Sequence, residues 1–416
     1  MKPMIEPAAG ELKPLVAAAF LWYLLTIAAY SMVGPARDAL LMTRFGPAML
    51  PWVYLAGAAL TGAAVWTYGR FARSSRRRLI GGTLAALALT LGGGGLLAAE
   101  AGSRALSFIY FLWCDVFGIM SVTLFWTYAD DVFTAEESLR VFGLLSAAAP
   151  VGAILGDLAV RRWVRAVGPS AILTAAAALF ALVVPLFFFM ESRAGGRGKS
   201  GAPSRDAAPA PAAGLLKTLV ASPFLLWMTA LVAFERLVPD FSKYLYSVEA
   251  TRAFGGDARA MASFFAGVDL WTGVGSFLAG ILLTAPALRL FGIGGMLASA
   301  GLANLGLLAL YPAAPGLRLC AGFMALEGTA RYTWFKTAKE STYTATGKDV
   351  LYRVKAFIEM FVYRIARGVA GILLLTAGWA GLGARGVAVL GVPFGLAWLY
   401  AAARTSREHA RVSAGS

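Results

Sequence analysis

Apolar runs long enough to cross a membrane recur along almost the whole chain, separated by short polar breaks. A helix rises 1.5 Å per residue, so a hydrocarbon core of roughly 30 Å needs about 20 apolar residues per crossing. On that measure the pattern predicts spans at 14–36, 48–70, 79–99, 104–130, 139–160 and 168–190. It then predicts spans at 215–247, 260–284, 287–311, 316–343, 351–377 and 384–404, giving about twelve in two equal groups.

Between the groups runs ESRAGGRGKSGAPSRDAAPAPAAG, Glu191 to Gly214, rich in Gly, Pro, Ser and Arg and without periodicity, which reads as a flexible linker. The organisation expected is therefore an N-terminal six-helix bundle at 1–190, a cytoplasmic linker at 191–214, a C-terminal six-helix bundle at 215–404 and a cytoplasmic tail at 405–416. Gly198-Lys199-Ser200 matches the end of a phosphate loop, but Arg193 stands where the loop's first glycine belongs and no strand precedes it. Met1 to Lys13 lacks the short apolar core and small-residue cleavage site of a secretory signal, so the first apolar run is expected to be a retained helix. Two six-span halves joined by a cytoplasmic linker are the layout of the major facilitator superfamily, whose halves rock around a midplane site. The fold class expected is an all-α polytopic membrane protein of that type.

Composition agrees with a lipid solvent: 59% of residues are hydrophobic, 14% are charged and the mean hydropathy is +0.70. Soluble domains run near 45–50% apolar and about 25% charged. The net charge of +15 would suggest nucleic acid in a soluble protein, but the cations lie mostly in short loops, where they act as topology signals and make a nucleic acid polymer an unsuitable partner. With a cytoplasmic N-terminus the inside loops hold Lys2, Lys13, Arg70, Arg73, Arg76, Arg77, Arg78, Arg193, Arg197, Lys199, Arg205 and Lys217 among about 20 Lys and Arg, against about 10 outside. Both termini are then cytoplasmic, with Arg161, Arg162 and Arg165 as the main exceptions outside. Cys114 and Cys320 fall in apolar context and form neither a disulfide framework nor a metal spacing, and His409 is the one histidine. No metal site, no cofactor and no enzyme activity are expected from this inventory.

A charge at bilayer depth costs about 2.5–3.5 kcal/mol on insertion scales, so such residues face a cavity or a partner. The first predicted span ends in Arg37 and Asp38, and the fourth carries Asp115 and later Asp130-Asp131. The seventh holds Glu235, Arg236, Asp240 and Lys243, and the tenth Arg331, Lys336, Lys339 and Glu340. These are the first helices of each three-helix repeat, which line the pathway in this architecture. Asp157, Asp269, Lys355, Glu359, Arg364 and Arg367 occupy spans five, eight and eleven, whereas spans three, six, nine and twelve are almost free of charge through their centres. Lys336 with Glu340 and Lys355 with Glu359 stand four apart, so each pair is expected to meet on one helical face, while Glu235 and Lys339 are not local partners. Excess cation at these positions suits a small anionic solute such as a phosphate ester. Trp113, Trp126, Tyr128, Tyr244, Tyr246, Tyr332, Trp334 and Tyr343 fit either ring stacking or an interfacial belt, with Tyr332 and Trp334 beside the cations of span ten. Small residues recur at Gly92 to Gly95, at Gly143, Ala147 and Gly152, and at Gly267, Gly273, Gly275 and Gly280, where close helix packing or a gating contact is expected.

Three segments carry a family resemblance: YSMVGPARDALLMTRFG (Tyr30 to Gly46), LFWTYADDVFTAEESLRVFGLLSAAAPVGAILG (Leu124 to Gly156) and RYTWFKTAKESTYTATGKDVLYRVKAFIEMFVYRIARG (Arg331 to Gly368). They resemble the ATP/ADP translocases of plastids and intracellular bacteria, and most closely their divergent bacterial relatives. The resemblance implies a major-facilitator-type fold, placement in a bacterial inner membrane and exchange of ATP for ADP. It also implies that Arg37 stands where the family has a substrate-binding lysine and that Lys355 matches the family's helix-eleven lysine. The family's helix-four acid falls on Cys114, with Asp115 adjacent, and its helix-seven acid falls near Pro239, with Asp240 adjacent, while Lys243 keeps the basic partner.

The function expected is secondary-active transport by alternating access of an anionic, phosphate-bearing solute such as a nucleotide, as a monomer. Its substrate-binding candidates are Arg37, Asp38, Asp115, Asp240, Lys243, Arg331, Tyr332, Lys336, Lys339, Glu340, Lys355, Glu359 and Arg364. The alternatives are a transporter of another solute (a drug-like molecule, metabolite or lipid) with proton coupling through Asp115, Asp240 or Asp269, and a membrane scaffold or sensor without transport.

Overall fold

The computed structural model describes residues 9–70, 75–100, 103–194, 219–343, 354–355 and 357–415; the linker beyond residue 194, with Gly198-Lys199-Ser200, lies outside the described residues. Among those residues every regular element is helical and none is a strand. In chain order they are α1 (Ala9–Phe45), α2 (Leu50–Arg70, after a 3-10 turn at Pro47–Met49), α3 (Arg76–Glu100), α4 (Arg104–Val132), α5 (Ala135–Val167) and α6 (Pro169–Arg193). Then follow α7 (Pro223–Phe254), α8 (Ala258–Leu282) and α9 (Thr284–Leu310). The helix α10 runs as Leu317–Ala330, a π turn at Arg331–Phe335 and Lys336–Tyr343. A second π turn at Ile358–Val362 leads into α11 (Tyr363–Trp379), and α12 covers Ala384–Gly415.

Side chains at the breaks set these ends. Ser103 accepts from the Leu106 amide at the start of α4. At the start of α5, Thr134 and Glu137 cap each other's backbone N–H groups at 3.3 and 2.9 Å, a complete capping box worth about 1 kcal/mol. Gly168 ends α5 at φ 85°, a conformation open to glycine, and Pro169 starts α6 where its missing N–H is not needed.

Among the described residues eight helices are long and apolar enough to cross a membrane: α1, α3, α4, α5, α6, α8, α9 and α12. The helices α7, α10 and α11 fall short on that measure because they carry the charged residues and, in α10 and α11, the π turns.

By their contacts the residues form two compact units. One comprises Met1–Arg44, Leu60–Arg205 and Asp257–Leu270, and the other Phe45–Ala59, Asp206–Gly256 and Trp271–Ser416. The core of the first is aromatic: Trp22 of α1, fully buried, meets Phe125 and Tyr128 of α4 and Phe187 of α6 at ring separations of 5.2 to 5.8 Å, and Tyr23 stacks on Phe125 at 4.3 Å. In the second, α7 is the central helix, packed against α9, α11 and α12. Ser242 donates to Asn304 at 2.7 Å, and seven residues on along both helices Tyr311 donates to Glu249 at 2.6 Å, so α7 and α9 are joined by buried polar bonds two turns apart. The residues 405–415, expected as a tail, continue α12 as helix: Thr405 is buried, Glu408 bonds to Arg411 at 2.9 Å, and Arg404 lies over Trp227 of α7 at 5.1 Å.

Small residues let backbones approach. A Cβ on Gly152 would stand 2.6 Å from the Leu24 carbonyl oxygen, and one on Gly156 would collide with the Ala28 carbonyl. These two positions seat α5 against α1. We expect Gly156→Val to lower stability by about 1–3 kcal/mol through overpacking. Gly143, where an added Cβ meets nothing within 4 Å, should accept alanine without loss. Thermal unfolding of the purified variants in detergent checks both.

Candidate functional site

Many of the charged residues singled out in the sequence fall into one cluster in each unit, whereas Asp157 and Asp269 lie together outside both. In the first unit, Arg37 and Asp38 are neighbours on α1, just past Pro35, and Asp115 projects from α4. The Arg37 guanidinium lies 3.3 Å from Asp38 and bonds to Asp115 at 2.5 Å, with the Phe111 ring 4.7 Å below it. Arg44, two turns further on, bonds to Ser107. Asp115 thus meets the cation of α1, while the adjacent Cys114 is fully buried.

In the second unit the cluster spans three helices. Lys339 of α10, 7% exposed, is held by Glu235 of α7 at 2.8 and 3.1 Å and by Glu359 at 3.1 Å. Tyr343 donates to Glu359 at 3.3 Å, and its ring lies 5.1 Å from the Lys355 ammonium, which pairs with Glu340 at 2.5 Å. One network therefore runs from Glu235 through Lys339, Glu359 and Tyr343 to Lys355 and Glu340. Beside it Arg236 pairs with Asp240 at 2.8 Å, donates to the Tyr363 hydroxyl at 3.4 Å and covers that ring. Arg331 pairs with Glu327, four residues earlier. Lys243 faces the Tyr246 ring at 5.4 Å, and Arg367 the Tyr54 ring at 5.2 Å.

The pairing differs from what spacing alone suggests. Lys336 and Glu340 share an exposed face, yet Glu340 reaches Lys355 and not Lys336. Glu359 turns to Lys339 and not Lys355, because it sits in a π turn whose wider bonding breaks the four-residue relation. Glu235 and Lys339, 104 residues apart, become the most buried pair of the set. Glu327 and Tyr363 were missed in the sequence; the acid four residues before Arg331 was the available signal for the first.

Charge bookkeeping changes with these contacts. Arg37 and Lys339 are each flanked by two carboxylates, so the cation excess seen in the sequence is offset at the deepest positions. Among the described residues Lys336 and Arg364 make no ion pair; Lys336 is exposed and Arg364 half-buried. Tyr332 is 65% exposed, and Lys336 and Glu340 further along the helix are exposed as well, so α10 presents a stripe of polar side chains at its surface. Lipid would make such a stripe costly, so it fits a wet surface. Of the other aromatic candidates, Tyr128 is buried in the Trp22 core, Trp126 packs edge-on to Tyr23 and Phe142, and Trp113 donates to Thr90, all structural roles.

No known family's sequence model and no curated protein matches the chain. Solved structures do. A bacterial homologue of the human lysosomal transporter Spinster aligns with a TM-score of 0.66 at 13% identity over 97% of this chain and 99% of that one. The nucleoside transporter NupG gives 0.61 at 14% identity over 98% and 99%. A D-xylose-proton symporter gives 0.61 at 14% identity over 92% and 96%. At these identities the likeness is one of fold, and the chain has the all-α polytopic fold of these transporters, the major-facilitator-type fold.

A buried ion pair that loses one partner leaves an uncompensated charge, at a cost of about 3–5 kcal/mol. Lys339→Ala is therefore expected to destabilise the protein by that order, and adding Glu235→Gln should recover part of the loss. A double-mutant cycle of unfolding temperatures checks it; additive losses would show that the pair is not coupled.

Proposed function

We propose that this protein is a secondary-active transporter working by alternating access, and that its solute is a small anion bearing a phosphate, such as a nucleotide taken in exchange. The observation that carries the reading is the polar stripe of α10, where Tyr332, Lys336 and Glu340 are exposed on a helix whose buried face holds Lys339. The fold supports transport, since the solved proteins with this architecture include transporters of nucleosides and of xylose. Cations beside an exposed tyrosine offer charge-assisted bonds to a phosphate and a ring face to a base. Arg37 and Lys339 already hold carboxylates, so an anionic solute at Arg37 displaces Asp38 or Asp115, and one at Lys339 displaces Glu235 or Glu359. Breaking an ion pair on binding gives the solute a means of shifting a conformational equilibrium. We place the protein in a bacterial inner membrane with both termini cytoplasmic, acting as a monomer.

A second reading has its own support. Two carboxylates around each deep cation leave both clusters with net negative charge, which suits a neutral hydroxyl-rich or cationic solute as well as an exchanged anion. Thermal-shift measurements with ATP, ADP, inorganic phosphate, a sugar phosphate, a nucleoside and xylose separate the two. ATP or ADP should raise the unfolding temperature, and a ligand at 100 times its Kd adds about 2.7 kcal/mol. Arg37→Gln and Lys339→Gln should weaken that binding more than tenfold, and counterflow in proteoliposomes should follow the same ranking. Shifts with the nucleoside or xylose and none with the phosphate compounds would replace the first reading by the second.

A further inference from the structure

The ion-pair clusters leave one buried carboxylate without a cation. Asp157 on α5 is 3% exposed, and its Oδ1 has no hydrogen-bond partner. Its nearest candidate along the helix, Arg161 at four residues, turns away: the Arg161 Nη1 lies 3.5 Å from where a Cβ on Gly267 of α8 would stand. One turn further, Arg259 of α8 donates to the Arg165 carbonyl at 3.2 Å. Arg259 is thus engaged with backbone, Arg161 lies beside Gly267, and among the described residues neither pairs with Asp157. The charged group within electrostatic range of Asp157 is a second carboxylate, Asp269 of α8.

Among the described residues, the other helices packed around Asp157 bring no compensating charge. On α1 the residues pressed against Gly152 and Gly156 are Leu24, Ile27, Ala28 and Ser31, none of them titratable. The part of α6 packed on α5, Pro169 to Ala181, has no titratable residue either. All of these residues belong to the first unit. An ionised carboxylate isolated at bilayer depth is costly, and two that face each other are more so. The Arg37 and Lys339 clusters meet that cost with a fixed cation; at Asp157 only a mobile one is available.

We propose that Asp157, faced by Asp269, is a proton-binding site within the membrane. The proton sits on the Asp157 carboxyl while the α5–α8 contact is closed, and it dissociates to water, leaving a carboxylate, when that contact opens. That this proton crosses with the solute rests on the transport reading above; that it is bound does not.

Infrared difference spectra of the full chain in liposomes, recorded while pH is stepped, test the binding directly, because a protonated carboxyl has a carbonyl stretch that a carboxylate lacks. We expect such a band in the wild type, its loss in Asp157→Asn and its survival in Asp115→Asn. Asp157→Glu, which keeps the acid if the asparagine variant misfolds, should retain a band at a shifted frequency. Asp269→Asn should keep the band but move the pH at which it disappears down by about one unit. A band that persists in Asp157→Asn, or its absence from the wild type at every pH, overturns the proposal. Loss of the band on adding sodium at fixed pH would also overturn it, in favour of a metal cation. ATP counterflow that continues in Asp157→Asn while accumulation driven by a pH gradient collapses would tie the proton to transport. A wild type that moves no ATP yet shows the band would fail the transport reading alone.

Discussion

A charge inside a bilayer has to be matched, and most of what is particular to this structure follows from how that is done. Helix α7 alone carries Glu235, Arg236, Asp240 and Lys243, which would make it a poor span in isolation. It is tolerated because α10 and α11 bring Lys339, Glu359 and Tyr363 to it, and because its remaining surface is buried against α9 and α12. The same holds on a smaller scale where Arg37 ties α1 to α4 through Asp115. Charges that look like liabilities one helix at a time become the contacts that choose which helices are neighbours.

Such contacts differ in kind from the apolar ones around them. The Trp22 cluster and the Gly152 and Gly156 approaches depend on shape, and they have one good arrangement. An ion pair with a spare carboxylate has more than one: Lys339 between Glu235 and Glu359, or Arg37 between Asp38 and Asp115, can keep a partner while releasing another. The π turns of α10 and α11 lie next to these residues, and such turns are frequent at functional sites because they loosen the regular bonding of the helix. Rigid packing and exchangeable pairing in the same unit are what a protein with two conformations requires.

The electrostatics also separate three kinds of acid. Glu235, Glu359 and Asp115 are held by fixed cations and act as counter-charges. Glu340 pairs with Lys355 near the surface, where water weakens the interaction. Asp157 is buried and, among the described residues, has no ion-pair partner. Of these acids only the last has an energetic reason to take up a proton.

Sequence alone was enough for the class of fold, because hydrophobic runs of spanning length respond to the bilayer thickness and need no knowledge of neighbours. It was also enough to single out Arg37, Asp115, Asp240, Lys339 and Lys355, since a charge in an apolar run is conspicuous wherever the helix ends up. Which charge meets which was not legible. Local spacing suggests Lys336 with Glu340 and Lys355 with Glu359, whereas Glu340 meets Lys355 and Glu359 meets Lys339. Glu235 finds Lys339 across 104 residues, Arg161 lies beside Gly267 and makes no ion pair with Asp157, and Glu327 pairs with Arg331. The chain determined where these charges lie along their helices; helix crossing, and the phase set by two π turns, decided their partners, because an ion pair is fixed by distance in space and not along the sequence.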